Sequence, residues 1–144
     1  MSLLYKRVTL VVADIERSLK VYRDILGFEI NSLTDSDDDS YSYPVFKIPK
    51  EARIRFATLD SPSQERTLGL TEVKGCPLPA PQAPIMSASV IKVEKLSSVI
   101  AEIKALGLET TEPETDGNDQ FTFLEQAFID FDGHLIVLYE ILPN

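Results

Sequence analysis

Cations and hydroxyl groups alternate with apolar residues in several short stretches of this 144-residue chain. Arg7 and Thr9 lie in the first of these stretches, and Lys92 and Tyr139 lie near the ends of two later ones. An arginine guanidinium binds a carboxylate or phosphate through two parallel hydrogen bonds. These residue types therefore indicate a site for a small organic anion, provided that the fold brings their side chains to one surface.

Residues suited to nucleophilic or acid-base chemistry are few. His134 is the single histidine and Cys76 the single cysteine of the chain, so neither has a second residue of its type to act with. A metal site needs several donors, and a histidine at a turn is usually solvated. The Tyr139 hydroxyl could serve as a general acid, but a tyrosine at a sheet surface more often packs in the core or lines the wall of a pocket. The catalytic residues, if there are any, stay unidentified.

The amino-acid composition limits the classes of partner that this chain can bind. With 23 acidic and 14 basic residues the formal net charge is −9, which repels a nucleic-acid backbone. The strongest apolar stretches, such as residues 135–138, are far shorter than the roughly 20 residues that span a bilayer. We therefore expect no nucleic acid, no membrane, and a cytoplasmic location consistent with one unpaired cysteine. Residues 1–3 resemble a cloning remnant.

The first half of the chain predicts the element order β-α-β-β-β. Val8, Leu10 and Val12 alternate with more polar residues, as in a half-buried strand. A helix over 15–26 follows, with Asp14 as its cap and Gly27 as its stop. The remaining candidate strands of this half are 28–33, 53–59 and 66–73.

The second half repeats this order. Val93 lies 81 residues after Val12, and a helix with apolar spacing again follows and ends before Gly107. The predicted strands of this half are 87–93, 121–124, 127–130 and 135–141, with a hairpin turn at residues 132–133. Four prolines within residues 75–84 predict a stiff linker between the halves.

We therefore expect an α+β fold in which one domain, 1–144, consists of two βαβββ modules, about 4–74 and 85–142. The modules are expected to form one curved mixed sheet with the helices on its convex face and a ligand pocket on its concave face. By strand alternation, the concave face should carry Thr9, Thr71, Lys92 and Tyr139 together with Arg7. Arg55 alternates with apolar residues and is also expected at this pocket or its rim.

Two segments resemble a known superfamily. Residues 8–18, VTLVVADIERS, with residues 22–28, YRDILGF, resemble the opening of the vicinal oxygen chelate superfamily of glyoxalases, bleomycin-resistance proteins and extradiol dioxygenases. Residues 128–136, FIDFDGHLI, resemble its closing hairpin, although Phe131 stands where proline is usual. The resemblance covers residues 5–142 and implies paired βαβββ modules and, commonly, a homodimer.

The resemblance also locates the positions at which metal-using members hold their ion, one near the start of the first strand and one in the last strand of each module. Here those positions carry Arg7, Gly69, Ala88 and Val137. Gly, Ala and Val side chains offer no donor for Zn²⁺, Fe²⁺ or Mn²⁺, and arginine repels a cation. Glu72 and Glu140 lie three residues beyond two of these positions, so strand alternation turns them toward the helices. We expect no metal and no other cofactor.

Three functional interpretations follow. The first is binding of a small, anionic organic molecule without a metal. The second is a lyase, isomerase or dioxygenase with a relocated metal site or metal-free catalysis, although the substituted ligand positions disfavour metal-dependent activity. The third is a partner protein that keeps the fold but fills the cleft with its own side chains. The predicted ligand-binding residues are Arg7, Thr9, Arg55, Thr71, Lys92 and Tyr139.

Overall fold

The computed structural model describes residues 2–144. The chain divides into two compact units, one ending at Pro79 and the other beginning at Ala80. This division falls inside the predicted linker, 75–84. Each unit builds its own sheet and its own core, and each is described by itself below.

The first unit contains a four-stranded mixed sheet in the order β1-β4-β3-β2, in which β1 and β4 are parallel and the other pairs are antiparallel. Its elements are β1 (Val8–Val12), α1 (Ile15–Leu19) with a π-helical continuation (Lys20–Ile25), β2 (Glu29–Asp35), α2 (Ser42–Phe46), β3 (Arg53–Ser61) and β4 (Gln64–Lys74).

The first helical segment matches the prediction in both its ends. The Asp14 side chain accepts a hydrogen bond from the Arg17 N–H at 3.2 Å, which caps the helix. Gly27, at a φ of 88°, takes the left-handed conformation that ends it. The short helix α2 was not predicted, because five residues with Pro44 among them show no helical periodicity.

The second unit contains an equivalent sheet in the order β5-β8-β7-β6, with β5 and β8 parallel. Its elements are β5 (Ala88–Lys92), α3 (Leu96–Ala105), β6 (Glu114–Gly117), β7 (Phe121–Ile129) and β8 (Leu135–Pro143).

Two predictions for the second unit were wrong. Residues 121–124 and 127–130 form one strand rather than two, since Glu125 and Gln126 continue the ladder with Tyr139 and Leu138. The two consecutive polar residues Glu125 and Gln126 resembled a turn between two strands, although they lie on opposite faces of a single strand. The strand β6 was missed because all four of its residues are exposed and none is apolar.

The α+β class and the two-module architecture are confirmed. The strands of residues 2–144 form two four-stranded sheets, where the sequence suggested one continuous sheet. No helix in this part of the chain is long and apolar enough to cross a membrane.

One face of each sheet packs against that unit's helix and is called here the helix face; the opposite face is called the far face. In the first unit Leu10, Val12 and Leu70 share the helix face and are almost completely buried. In the second unit Ile136 and Leu138 occupy it in the same way. Burial of such side chains stabilises each unit by roughly 2 kcal/mol per residue.

A glutamate in the last strand of each unit fastens that strand to the first residue of the helix. Glu72 Oε2 accepts the Ile15 N–H at 2.9 Å, and Glu140 Oε1 accepts the Leu96 N–H at 2.8 Å. The first helical N–H groups have no partner within the helix, and a carboxylate there also benefits from the helix dipole. Both glutamates turn toward the helices, as predicted.

We predict that Glu140→Ala lowers the free energy of unfolding by about 1 kcal/mol, because the Leu96 N–H loses its acceptor. Glu140→Gln keeps an acceptor oxygen and should lose less. Urea unfolding of the two variants and the wild type measures the difference. Unchanged stability in Glu140→Ala would contradict the fastening role of this residue.

Candidate functional site

The far face of the first unit carries the residues that the sequence placed there. The parallel pairing of β1 with β4 sets Thr9 beside Gly69 and Val11 beside Thr71. Glu72, the next residue of β4, turns to the helix, so Thr71 faces the opposite way. Thr9 and Thr71 are thus confirmed on one face, together with Gly69, where the resemblance places a metal ligand in metal-using members.

Space at Gly69 is already occupied. A Cβ added to this glycine would lie 2.8 Å from Thr9 Oγ1 and 3.1 Å from Cε2 of Phe56. Contacts this short force a neighbour to move, and both neighbours belong to strands of the sheet. A metal-binding side chain therefore cannot be accommodated here without rearranging Thr9 and the Phe56 ring.

Thr71 is completely buried, and its hydroxyl has no hydrogen-bond partner among residues 2–144. A buried hydroxyl without a partner costs roughly 1–3 kcal/mol. Thr58 lies on the same face and contrasts with it, because its Oγ1 is 2.6 Å from the hydroxyl of Ser32. Thr71 is therefore a buried residue of this face whose hydroxyl is not satisfied by the described residues.

Arg7 lies just before β1 and is half-buried. Its Nε donates to the Arg66 carbonyl at 3.0 Å, which holds the guanidinium against the start of the sheet. The two terminal nitrogens of Arg7 have no hydrogen bond to any other residue in the described range 2–144. The guanidinium is thus held through its Nε, and its two terminal nitrogens remain able to donate hydrogen bonds.

Arg55 does not lie with Arg7 and Thr9, and this part of the sequence prediction was wrong. In the β3-β4 ladder Arg55 is paired with Glu72, and residues paired in this way share a face. That face is the helix face. Alternation could not reveal this, because β3 has buried apolar residues on both faces, Ile54 on one and Ala57 on the other.

Arg55 instead clamps two carboxylates. Its Nε lies 2.9 Å from Glu72 Oε1, and its Nη2 lies 2.8 Å from Glu16 Oε2 on α1. Burial by itself would raise the pKa of Glu72, but the hydrogen bonds from Arg55 and from the Ile15 N–H outweigh it and hold this pKa below 4.5. The hydrogen bonds that Arg55 donates to Glu72 and Glu16 raise the pKa of Arg55.

Asp14, Glu16 and Glu72 bring carboxylate oxygens within 4.8 Å of one another, which raises the question of a relocated metal site. Both oxygens of Glu72 already accept hydrogen bonds, from Arg55 and from the helix N–H. The Arg55 guanidinium supplies the positive charge that a metal would otherwise supply. The cluster is therefore explained as an ion-pair network.

The far face of the second unit is mixed and partly open. Lys92 pairs with Tyr139 across β5 and β8, and Val90 pairs with Val137. Lys92 is exposed, Tyr139 is half-buried, and the Val90 side chain is 65% exposed. The predicted placement of Lys92 and Tyr139 on one face is confirmed within this unit. Ala88 and Val137, at the positions where the resemblance places the ligands of the second module, bring no donor side chain.

A cavity of about 380 Å³ in the first unit was not predicted. Its wall includes Asp35 at the end of β2 and Ser36 and Asp38 in the loop that follows. The charged residues lining it are Asp35, Asp38, Glu72, Arg53, Arg55 and Lys74. Their convergence depends on strand pairing between residues far apart in sequence, which periodicity does not reveal.

A family profile described as the Glyoxalase/Bleomycin resistance protein/Dioxygenase superfamily matches residues 5–138. The chain belongs to this superfamily. Among curated protein sequences none is similar enough to be counted as a relative.

Solved structures of the superfamily share the fold across nearly the whole chain. A glyoxalase family protein from Bacillus cereus matches with a TM-score of 0.74 at 15% identity, over 95% of this chain and 93% of that one. The fosfomycin resistance protein FosX from Listeria monocytogenes matches at 0.58 and 18%, over 94% and 88%. The trypanothione-dependent glyoxalase I of Leishmania major matches at 0.60 and 18%, over 96% and 87%. At such identities the likeness establishes the fold alone.

The crowding at Gly69 predicts a measurable coupling with Thr9. In the wild-type background Gly69→Ala should destabilise the protein by about 1 kcal/mol, since the new methyl group meets Thr9 and Phe56. In a Thr9→Ala background the same change should cost about 1 kcal/mol less. Chemical unfolding of the four proteins closes the cycle. Strict additivity would show that the space is not limiting.

The Arg55 clamp predicts a pH-dependent stability difference. At neutral pH Arg55→Leu should cost about 2 kcal/mol, less than for a fully buried pair because the Arg55 side chain is 32% exposed. The pKa of Glu72 is lowered on folding, so its charge stabilises the fold above pH 4.5 and ceases to do so as the pH falls through the lowered value. The difference should therefore shrink in acid.

Unfolding curves of wild type and Arg55→Leu between neutral pH and acid measure this change. The double variant Arg55→Leu/Glu72→Gln is the control, because it leaves no unpaired carboxylate at position 72. At neutral pH it should therefore be less destabilised than Arg55→Leu. A stability difference for Arg55→Leu that does not vary with pH would contradict the clamp.

Proposed function

We propose that this chain binds a small organic molecule with an anionic group on the far face of one of its sheets, without a metal at the four superfamily positions. The observation that carries this proposal is the crowding at Gly69, where Thr9 and Phe56 occupy the space a ligating side chain would need. A ligating side chain could therefore replace Gly69 only if Thr9 and Phe56 also moved or changed.

The superfamily implies a divalent metal in many members, and FosX of Listeria monocytogenes has been solved with Mn(II) and a sulfate ion. The residues of this chain do not fit such an ion. Arg7, Gly69, Ala88 and Val137 contribute no carboxylate, imidazole or thiolate, and Arg7 adds a positive charge. We therefore derive no reaction step through a metal.

The groups available to a ligand are hydrogen-bond donors and cations. In the first unit the terminal nitrogens of Arg7 suit a carboxylate or phosphate, and the buried Thr71 hydroxyl suits a polar atom close to it. In the second unit Lys92 and the Tyr139 hydroxyl lie on one face. Donors predominate in this set, which favours an anionic ligand over a cationic drug.

An enzymatic role remains the alternative, as a lyase, isomerase or dioxygenase of the superfamily. The observation in its favour is the pairing of Lys92 with Tyr139 across β5 and β8, which places an amine and a phenol, two groups able to transfer protons, on one face. We further propose, following the superfamily, a homodimer in the cytoplasm that binds neither nucleic acid nor membranes.

The proposal predicts that protein purified without added metal contains far less than one divalent ion per chain by elemental analysis. It further predicts that native mass spectrometry detects a co-purified organic acid on the wild type, and that Arg7→Ala loses it. Lys6→Ala is the matched control, because Lys6 Nζ donates to the neighbouring Glu65 carbonyl at the same sheet edge.

One divalent ion per chain that stays bound through dialysis would overturn the proposal that the site works without a metal. Equal retention of the acid by Arg7→Ala and Lys6→Ala would remove Arg7 from the site. Two chains per particle by sedimentation would support the homodimer.

A further inference from the structure

The cavity of the first unit contains opposed charges that the fold itself does not use. Of its six charged lining residues, three are acidic and three are basic. Arg55 and Glu72 neutralise one another in the clamp described above. Arg53 and Lys74 remain as cations, and Asp35 and Asp38 remain as carboxylates.

Arg53 and Lys74 stand directly opposite each other in the β3-β4 ladder. Like charges at paired positions repel and destabilise a sheet. Neither side chain forms an ion pair or hydrogen bond with any other residue in the range 2–144, although the Lys74 charge interacts favourably with the carboxylates of Asp14 and Glu72. Both side chains are exposed and line the cavity, so both cations are open to a ligand there.

The second unit shows that the fold does not need these charges. Its equivalent ladder places Thr122 opposite Leu142 where the first unit has Arg53 opposite Lys74. Leu124 lies opposite Glu140 where the first unit has Arg55 opposite Glu72. The register that pairs Arg53 with Lys74 thus also forms with two neutral residues, so the fold does not require these two cations.

Two exposed carboxylates also line the cavity, those of Asp35 and Asp38. Asp35 is the last residue of β2, and Asp38 lies in the loop that follows. The Asp38 backbone carbonyl accepts a hydrogen bond from Lys50 Nζ at 2.7 Å. Neither carboxylate has a hydrogen-bond partner within residues 2–144. Tyr43 also lines the cavity, and its hydroxyl donates to the Ala52 carbonyl at 2.7 Å, which fixes the ring. The loop is thereby held in place beside the cations.

We propose that this cavity binds a small zwitterion of the α-amino acid class. Arg53 and Lys74 receive its carboxylate, and Asp35 and Asp38 receive its ammonium group. A ligand with one charge of each sign matches a lining of equal positive and negative charge, whereas a simple anion would meet the carboxylates as well. A volume of about 380 Å³ suits a molecule of this size. This site is separate from the far-face residues of the proposed function.

The test is calorimetric titration of the full chain with each standard L-amino acid in turn. At least one should bind with micromolar to millimolar affinity, and its N-acetyl and methyl ester forms should bind at least about tenfold more weakly, because each lacks one charge. Failure of every amino acid to bind at millimolar concentration would overturn the proposal. Equal binding of the N-acetyl form would overturn the zwitterion assignment in favour of an anion.

Variants place the binding on the molecule. Arg53→Gln and Lys74→Gln should each weaken the best amino acid about tenfold, and both should fold, since the second unit has neutral residues at these positions. Lys104→Gln, an exposed cation in the last turn of α3, should leave the affinity unchanged. Arg7→Ala should also leave it unchanged. Binding lost in Arg7→Ala but kept in Arg53→Gln would assign the amino acid to the far face and overturn this inference.

Discussion

A single type of interaction, a strand glutamate holding the first N–H of a helix, governs both units. Glu72 and Glu140 each satisfy a backbone donor that would otherwise lack an acceptor in the helix. Because side chains alternate along a strand, fixing these glutamates toward the helices fixes their neighbours toward the far faces. The orientation of Thr71 and Tyr139 is therefore a consequence of where the carboxylates must go.

The two units use the same register but differ in how they tolerate the buried carboxylate. In the first unit Arg55 neutralises Glu72, which is 3% exposed. In the second unit Leu124 takes the equivalent place opposite Glu140, which is more exposed. Deep burial of a charge without a partner is costly, so the more buried glutamate is the one that has an arginine. Charge in the first unit is thus concentrated around the cavity beside this pair.

Much of this organisation was readable in the sequence, because it rests on short-range patterns. The helix from Ile15 and the repeat at Leu96 follow from apolar spacing and from the residues that end each helix. The far-face positions of Thr9 and Thr71 follow from alternation. Strand β6 and helix α2 were hidden, since short exposed or proline-containing segments carry no periodic signal. Arg55 was misplaced because its face depends on pairing with Glu72, a long-range contact.

The packing around Gly69 limits what this position can hold. An added Cβ at Gly69 would contact Thr9 and Phe56, and Phe56 reaches this point from the neighbouring strand β3. The space beside this glycine is thus divided between two side chains of different strands. Because the packing is close, a larger side chain at position 69 would need both neighbours to change with it. The far face of this unit is therefore organised around close packing and the buried Thr71 hydroxyl.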